Sequence, residues 1–460
     1  MGSFAERRND NSMSSVRKRA KYDEPSYAFL ETIDERKLDF DFEKRCSITL
    51  SLLNCYCCLV CGKYLRGRRE NTPAFLHSVN EDHHVFINFN SLKVYLLPDD
   101  VEVEDKGKIQ VLVRIRNAIR PFFTKEEINN SPHACFDLNN QEYTNGFIGF
   151  NNSASGNDSL NVILLLLSHI IPLRDYFLLQ DYLKEHEIVQ RLGIIVRKLW
   201  SPRLFKPYIS SEEFLAYVSV VDPKISSKVS DPRQIFIWLI NNLVKKSSSL
   251  RRILGDTFQG NVQVATIPIK PVLDLNGDVV KFQRETSHEN HVTVPFWSLS
   301  LDLPPTPLFK DSHNANDLPQ VKIEDLLKKY NGSQEQQFAQ GFKKYKLTRL
   351  PKYLILHFNR FDRKNTLPVK SRNQTLVQFS QRMEFLGSKY TLVANVVHDT
   401  IGTTAFDDDD KSIWRIQLFN STKRQWVELG GTINRLKERE LLFLQETYMQ
   451  AWVRDDPTKE

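Results

Sequence analysis

The sequence predicts an α+β fold in two parts: a small zinc-stabilised N-terminal domain, and a large domain in which helices precede strands. Two observations support this prediction. Five of the six cysteines lie between residues 46 and 61, and the apolar pattern beyond residue 150 changes from helical to alternating near residue 255. The chain has 460 residues, of which 41% are hydrophobic, so it is long enough for two to three domains.

Three segments are expected along the chain. Residues 1–24 are polar and charged and cannot bury enough apolar surface to become ordered, so we expect a disordered basic tail. Residues 25–135 are expected to form the zinc-binding domain, and residues 136–460 the large domain. The basic run at residues 17–21 has the composition of a nuclear import signal, although an ordinary solvated tail would look the same.

The net charge, the hydropathy and the cysteine distribution of the chain indicate what class of protein it is. The formal net charge of +7 suits a nuclear or RNA-associated protein without requiring one. The longest apolar run, Val162–Leu167, is far shorter than the roughly 20 residues of a membrane span. Cysteines in a single cluster indicate metal binding rather than a disulfide framework. We therefore expect a soluble intracellular protein that does not contact membranes.

The expected helices lie early in the large domain. After a connector at residues 132–146, a helix is predicted from Ser159 to Ile171, where Pro172 ends it. A second helix is predicted after Asp231-Pro232, because these residues supply an N-cap and a proline at the first helical position. The strands predicted by alternating apolar residues are Val85–Phe89, Val94–Leu97, Val262–Ile269, Val292–Leu301, Tyr353–Phe358, Tyr390–Val397 and Trp414–Phe419.

The spacing of Cys58, Cys61, His77 and His83 predicts one zinc site. A CxxC pair brings two thiolates to one ion from a tight turn, and two imidazoles complete a tetrahedral shell. Four protein ligands leave no open position for water, so we expect a structural zinc. Such ions contribute roughly 10–16 kcal/mol to the folding of zinc-finger peptides. The alternative interpretation is a group of buried free cysteines beside surface histidines.

Two further side chains are candidate ligands. His84 could replace His83. Cys46, Cys55 and Cys57 are expected to pack in the interior, although Cys46 is the best suited of the three to substitute as a ligand. A DNA-reading C₂H₂ finger separates its two ligand pairs by about twelve residues. Here fifteen residues separate them, and strands rather than a recognition helix are expected after His83, so base readout is not expected.

Around these ligands the sequence contains a longer motif. It consists of Cys58-Leu-Val-Cys61-Gly62-Lys-Tyr64, then Gly67-Arg68, then His77 and His83. This segment resembles a zinc finger of the ubiquitin-hydrolase (UBP) type. Many such fingers bind the free Gly-Gly tail of ubiquitin and carry additional metal ligands. Those ligands are largely missing here, which argues against binding of the ubiquitin tail.

Five stretches of the large domain occur in one order along the chain. They are Gly149-Phe-Asn-Asn152 with Ser159-Leu-Asn161, Asp231-Pro-Arg-Gln234, the segment 295–304, the segment 350–361, and Tyr390 to His398. Together they resemble the sequence boxes of the ubiquitin-specific proteases. The resemblance implies a papain-like cysteine protease fold for residues 136–460.

The same resemblance locates the catalytic positions of that family. Its members use a thiolate nucleophile, a histidine base and an Asn or Asp that orients the histidine. Asp158 stands at the nucleophile position, or Asn157 if the box is counted from its other end. Ile413 replaces the base, and Gly430 replaces the orienting residue. Gly156 stands where an oxyanion-hole asparagine is usual, so we expect a protein without protease activity.

Three remaining features bear on this expectation. His398 matches a non-catalytic position of the last box, and His169 lies eleven residues after Asp158, about three turns along one helix, so we expect both histidines to be structural. Active members often hold a second zinc between two CxxC pairs in a "fingers" subdomain. No cysteine follows Cys135, so this subdomain should rest on apolar packing or be remodelled.

The pairing of a UBP-type finger with an altered protease domain resembles a group of splicing factors associated with the spliceosomal tri-snRNP. Asn157-Asp158 and Trp414-Arg415-Ile416 match the replacements found in that group. The resemblance implies a nuclear role in pre-mRNA splicing, with tri-snRNP proteins as partners. The alternative is a ubiquitin-binding adaptor that uses the protease cleft as a docking groove. Basic pairs such as Lys245-Lys246 leave a weak contact with snRNA open.

Overall fold

A computed structural model describes most of the chain. The described residues are 25–105, 107–129, 134–151, 157–228, 231–273, 279–284, 289–305, 319–338, 341–361, 372–401, 411–431 and 433–455. The predicted basic tail and the oxyanion position Gly156 lie outside them. The chain divides into two compact units. The smaller unit consists of the described residues within 1–38 and 44–106, and the larger unit consists of those within 39–43 and 107–460.

Helices dominate the region between residues 158 and 258, and strands dominate the region after it, as an α+β fold requires. The helices are α1 (Pro73–Asn80), α2 (Gln110–Ile119), α3 (Lys125–Asn129), α4 (Asp158–Ser168), α5 (Ile171–Leu179), α6 (Glu187–Leu199), α7 (Glu212–Val221), α8 (Pro223–Lys228), α9 (Pro232–Lys246), α10 (Ser248–Phe258) and α11 (Ile323–Leu327). The strands are β1 (Cys55–Cys58), β2 (Tyr64–Arg66), β3 (Val85–Asn88), β4 (Val94–Leu96), β5 (Val101–Glu102), β6 (Cys135–Phe136), β7 (Glu142–Tyr143), β8 (Gly260–Leu273), β9 (Val279–Arg284), β10 (Asn290–Phe296), β11 (Leu299–Asp302), β12 (Gln320–Lys322), β13 (Asn331–Phe338), β14 (Gly341–Arg349), β15 (Tyr353–Asn359), β16 (Leu376–Gln378), β17 (Arg382–Phe385), β18 (Ser388–Ile401), β19 (Lys411–Asn420), β20 (Gln425–Gly430), β21 (Ile433–Lys437) and β22 (Glu446–Arg454).

The smaller unit contains a five-stranded antiparallel sheet with the strand order β2-β1-β3-β4-β5. Its core includes Tyr56, Leu65, Phe86 and Leu97, together with Ala74 of α1. The strands predicted at Val85–Phe89 and Val94–Leu97 are confirmed as β3 and β4. The helix α1 was not predicted from the sequence.

The larger unit contains an eight-stranded sheet with the order β11-β15-β22-β18-β19-β20-β21, and β17 pairs with β18. Residues of α4, α5, α6, α9 and α10 form one hydrophobic cluster with residues of β15, β18, β19 and β22. At the centre of this cluster lies α4, whose residues from Ser159 to Ser168 are all buried. The sheet therefore fixes the position of the helix whose first residue is Asp158.

The helix predicted to end at Pro172 ends earlier. Helix α4 stops at Ser168, and Pro172 lies in the first turn of the next helix, α5, where a missing N–H costs nothing. No single helix in the described part of the chain is long and apolar enough to cross a membrane. The pair α4 and α5 passes that test by combined length and composition, but it bends by 84° and its apolar residues belong to the hydrophobic cluster.

The second predicted helix is confirmed as α9. The Asp231 carboxylate accepts a hydrogen bond from the Arg233 N–H at 2.8 Å, and Pro232 occupies the first turn, as the N-cap prediction required. The Tyr448 hydroxyl of β22 also donates to Asp231, at 2.6 Å. The cap therefore joins the start of α9 to the central strand of the sheet.

The predicted strand Val292–Leu301 is divided between two sheets. Its first part is β10 in the sheet β10-β8-β14-β13, to which β9 is attached, and its last part is β11 in the eight-stranded sheet. Ion pairs and a cation–π contact link the strands of the first sheet. The Arg284 guanidinium lies 4.3 Å from the centre of the Phe342 ring and pairs with Glu335 at 2.9 Å. Lys344 also pairs with Glu335, at 3.3 Å. The expectation that a fingers subdomain rests on apolar packing or is remodelled stays a prediction.

A short segment from the N-terminal part of the chain belongs to the larger unit. We call residues Asp39–Glu43 the strap. Lys198 Nζ donates to Asp41 Oδ1 at 2.7 Å and to the Phe40 carbonyl at 2.9 Å, and Lys206 pairs with Asp39. The described residues between 107 and 135 also cluster with the larger unit. The domain boundary expected at residue 135 remains a prediction about which part folds independently.

Candidate functional site

The smaller unit brings four predicted metal ligands together. Cys58 ends β1, Cys61 follows in a tight turn, His77 lies on α1 and His83 precedes β3. One donor atom from each lies within 4.8 Å of the others. The turn depends on Gly62, whose N–H donates to the Cys58 carbonyl at 2.9 Å with a φ of +79°. A Cβ at this position would meet a backbone oxygen at 2.4 Å, so glycine is required here.

The distances between these donor atoms fit a zinc ion. Cys61 Sγ lies 3.4 Å from His77 Nε2, which lies 3.1 Å from His83 Nδ1. A tetrahedral zinc with bonds of about 2.0–2.3 Å would separate its ligands by roughly 3.3–3.8 Å, so the first distance falls within this range and the second lies slightly below it. The hydrogen bond between the two thiols lowers the pKa of Cys61 and raises that of Cys58, so Cys61 is the first of the pair to form a thiolate. Cys58 is fully buried, as expected for a closed structural site.

The two alternative ligands lie outside this cluster. His84 donates or accepts at both ring nitrogens, at 2.7 Å from the Leu97 carbonyl and 2.8 Å from Asp82 Oδ1. Cys46 Sγ accepts from the Thr49 N–H at 3.4 Å. These contacts occupy both side chains elsewhere, so the structure favours the quartet that ends in His83.

The larger unit places Asp158 at the first position of α4, against strand β19. The Asp158 carboxylate is half-buried and accepts a hydrogen bond from the backbone N–H of Trp414. Burial raises the pKa of Asp158, although this hydrogen bond and the charge of Arg415 act in the opposite direction. The position expected for a nucleophile is therefore in direct contact with the strand that carries the position expected for a base.

The other two predicted positions lie close to the same strand. Ile413 is half-buried on β19 and pairs across the sheet with Asp399. Gly430 ends β20, and a Cβ built on it would meet the Cγ of Arg415 at 2.8 Å and the carbonyl oxygen of Trp414 at 3.1 Å. The structure thus brings the positions of Asp158, Ile413 and Gly430 to one place, around Trp414.

The sequence analysis named Arg415 only as part of the motif Trp414-Arg415-Ile416 and gave it no role at this place. Its guanidinium pairs with Asp399 Oδ2 at 2.6 Å and lies 3.9 Å from the fully buried Glu428 carboxylate. Its side chain fills the space beside Gly430 that a larger orienting residue would need. The sequence offered one signal, a charged residue between the apolar Trp414 and Ile416, but not its contact partners.

Both histidines set aside as structural lie in aromatic surroundings, where His169 is partly buried and His398 is buried. His169 caps the C-terminal end of α4, opposite to Asp158; its Nδ1 donates to the Leu165 carbonyl at 2.8 Å, and burial lowers its pKa to about 4. His398 has a fully buried side chain, with Nδ1 3.4 Å from Glu446 Oε2 and its ring 4.9 Å from that of Trp414. Among the described residues, the contacts found for these two rings involve partners other than Asp158.

Family models match both units. The model of the Zn-finger in ubiquitin-hydrolases matches residues 44–108, and the model of ubiquitin carboxyl-terminal hydrolase matches residues 148–405. The pre-mRNA-splicing factor SAD1 of Saccharomyces cerevisiae is 44% identical over 95% of this chain and 96% of its own. The chain belongs to the SAD1-like family of pre-mRNA-splicing factors. It combines the UBP-type finger and the protease-like domain of that family.

Other relatives of this SAD1-like protein agree with that membership. The probable mRNA-splicing protein ubp10 of Schizosaccharomyces pombe is 34% identical over 93% of this chain and 88% of its own. Human ubiquitin carboxyl-terminal hydrolase 39 is 34% identical over 93% of this chain and 80% of its own.

Solved structures show the same fold. The crystal structure of an essential yeast splicing factor matches with a TM-score of 0.81 at 43% identity, and covers 94% of this chain and 100% of its own. The SAGA module of Ubp8, Sgf11, Sus1 and Sgf73 bound to ubiquitin aldehyde matches with a TM-score of 0.50 at 13% identity, which shows the fold alone.

Proposed function

We propose that this SAD1-like protein is a nuclear, non-catalytic splicing factor that promotes or maintains assembly of the spliceosomal tri-snRNP through protein contacts. Membership of a family of pre-mRNA-splicing factors supports the splicing role and the nucleus as its location. The geometry around Trp414 supports the absence of catalysis. The partners on this proposal are spliceosomal proteins, with at most a weak contact to snRNA.

The replaced catalytic positions supply the main argument. A carboxylate is a poor nucleophile toward an amide, and burial raises the pKa of Asp158 without making it a thiolate-like nucleophile. Ile413 has no titratable group and cannot accept the proton of a nucleophile or return it to a leaving amine. Gly430 cannot orient a base, and the side chain of Arg415 occupies the adjacent space.

The zinc proposed for the smaller unit would be a single structural ion held by Cys58, Cys61, His77 and His83. When bound, such an ion stabilises the fold around it and performs no reaction, because all four positions of its shell are filled by protein. The buried CxxC turn and the helix α1 each contribute ligands, so the ion would join the sheet to its helix.

Cleavage of a fluorogenic ubiquitin substrate tests the absence of catalysis. We expect no turnover above a buffer blank from the wild-type protein. Asp158→Cys alone should also be inactive, since a thiol with the usual pKa of about 8.5 is only a few per cent thiolate at neutral pH and lacks a general acid.

The double variant Asp158→Cys with Ile413→His is the matched comparison. It restores a nucleophile and a base, but the histidine has no orienting partner at Gly430, and a side chain there would strike Arg415. We expect turnover far below that of an active deubiquitinase assayed in parallel. Robust turnover by the wild type or by the single variant would contradict the non-catalytic proposal.

A further inference from the structure

One loop of the smaller unit exposes an unusual amount of apolar surface. We call residues 46–53, which precede β1, the apolar loop. The exposed fractions of its aliphatic side chains are 67% for Ile48, 65% for Leu50, 51% for Leu52 and 73% for Leu53. Single exposed aliphatic residues are common on protein surfaces, but four within six positions of one loop are a concentration of exposed apolar side chains of the kind that marks an interaction site.

The apolar loop is held in place by hydrogen bonds. The Cys46 N–H donates to the Ser51 carbonyl at 2.9 Å, and the Leu50 N–H donates to the Cys46 carbonyl at 2.9 Å. The Ser47 N–H donates to the carbonyl of Tyr64 on β2 at 2.8 Å. The loop is therefore attached to the edge of the sheet, and its side chains are presented in a fixed arrangement.

Leu50 adopts a backbone conformation that is costly for leucine. Its φ is +56°, in the left-handed region, where a residue with a Cβ is strained by roughly 1–2 kcal/mol. Because the Leu50 side chain is exposed, burial of apolar surface within the chain does not offset this backbone strain. Glycine or asparagine would adopt this turn more easily and would be more soluble, so the leucine is explained by contact with something outside the chain.

The charge of the surrounding segment indicates what that contact would be. Residues 44–69 carry six lysine and arginine side chains and no carboxylate. Arg45 directly precedes the loop. Arg66 lies on β2, opposite Cys55, the first residue of β1 after the loop, and both arginines are exposed. A partner that covers the loop would need apolar side chains at its centre and carboxylates at its rim.

We propose that the apolar loop docks an acidic segment of another protein, whose apolar side chains cover Ile48, Leu50 and Leu53 while its carboxylates face Arg45 and Arg66. Aliphatic side chains offer no stacking surface to nucleic-acid bases, so RNA fits this surface less well than protein. The proposal rests on the proposed function only in that it takes the partner from among the proteins of the spliceosome.

A photo-crosslinker in the loop tests the proposal in the full-length protein. Leu53→p-benzoylphenylalanine keeps the position apolar, and the same change at Val220, which is 82% exposed on α7 of the larger unit, is the control. In nuclear extract we expect the loop position, and not the control, to yield an adduct with one protein. Sequencing of the crosslinked peptide should show an excess of carboxylates around several apolar residues.

Variants at Leu50 separate docking from folding. Leu50→Asn removes the apolar side chain and relieves the backbone strain, so we expect unchanged or higher stability but about tenfold or greater loss of the adduct, as removal of one buried leucine from an interface implies. Leu50→Met keeps the apolar surface and should keep the adduct within about twofold.

Several results would overturn the docking proposal. These are equal adducts from both crosslinker positions, a crosslinked peptide that is basic or lacks apolar residues, an adduct with RNA, lipid or a second copy of the chain, no adduct at all, or an adduct insensitive to Leu50→Asn. The two proposals fail in different ways. An acidic peptide from a protein unrelated to splicing would leave the docking site standing and count against the splicing role.

Discussion

The strap is expected to hold the larger unit together through one nearly buried ion pair. Lys198 is 6% exposed and Asp41 is 18% exposed, and the ammonium also donates to the Phe40 carbonyl. Lys198→Met keeps most of the aliphatic side chain and removes the charge, so a largely buried carboxylate and carbonyl lose their partner. Breaking a buried pair in this way costs about 3–5 kcal/mol, and because water reaches part of Asp41 we expect a loss of roughly 2–4 kcal/mol.

Two further variants test whether the loss of stability depends on how deeply the ion pair is buried. Lys206→Met breaks the parallel pair with Asp39, but these side chains are 31% and 26% exposed, so we expect a loss of about 1 kcal/mol or less. Adding Asp41→Asn to Lys198→Met removes the unpaired charge and should recover about 1 kcal/mol or more of the single variant's loss.

Urea unfolding of the full-length protein measures these losses. With zinc held constant, the transition of the larger unit should move to lower urea without a change of slope, so that the shift reports the free energy of unfolding. A Lys198→Met protein within about 0.5 kcal/mol of wild type would refute the reasoning, since that is the effect of an ordinary surface substitution. Equal losses from Lys198→Met and Lys206→Met would refute it as well.

Three other predictions concern metal, pH and packing. Cys58→Ala should lose the bound zinc and unfold the smaller unit, and a full equivalent of zinc in the purified variant would contradict the ligand set. Burial raises the pKa of Glu446, but hydrogen bonds from His398 and Arg372 outweigh it and hold the pKa at about 2, below the usual 4.5. The stability lost in Glu446→Gln should therefore be largest above pH 4.5 and should shrink as the pH falls toward 2, and a loss independent of pH would contradict this assignment. Gly193→Ala should lower the melting temperature despite the better helix propensity of alanine, because the new Cβ would lie 2.7 Å from the buried Tyr182 ring; an unchanged or higher melting temperature would show that the ring can move.

The features that the sequence predicted well depend on local patterns. The clustering of the four proposed metal ligands follows from the CxxC spacing and the histidine pair, because a tight turn and a helix place nearby residues at one point with little help from the rest of the chain. The N-cap at Asp231 is local in the same sense. The order of helices first and strands later follows from the spacing of apolar residues, which changes from helical to alternating near residue 255.

The features that the sequence did not predict depend on contacts between distant residues. Nothing in residues 39–43 indicates that Asp41 pairs with Lys198, more than 150 positions away. The closeness of Arg415 to Gly430 arises from the pairing of β19 with β20, which periodicity alone does not reveal. The division of the predicted strand Val292–Leu301 between two sheets is likewise set by the sheets it joins and not by its own residues.

The amount of assembled tri-snRNP in nuclear extract tests the central claim most directly. In extract depleted of this protein, gradient sedimentation should show less tri-snRNP than before depletion. Purified wild-type protein and Asp158→Ala, matched for folding and concentration, should restore it equally, because the proposed role requires contacts and no reaction at Asp158. A tri-snRNP level unaffected by depletion, or a folded Asp158→Ala protein that fails to restore it, would contradict the account.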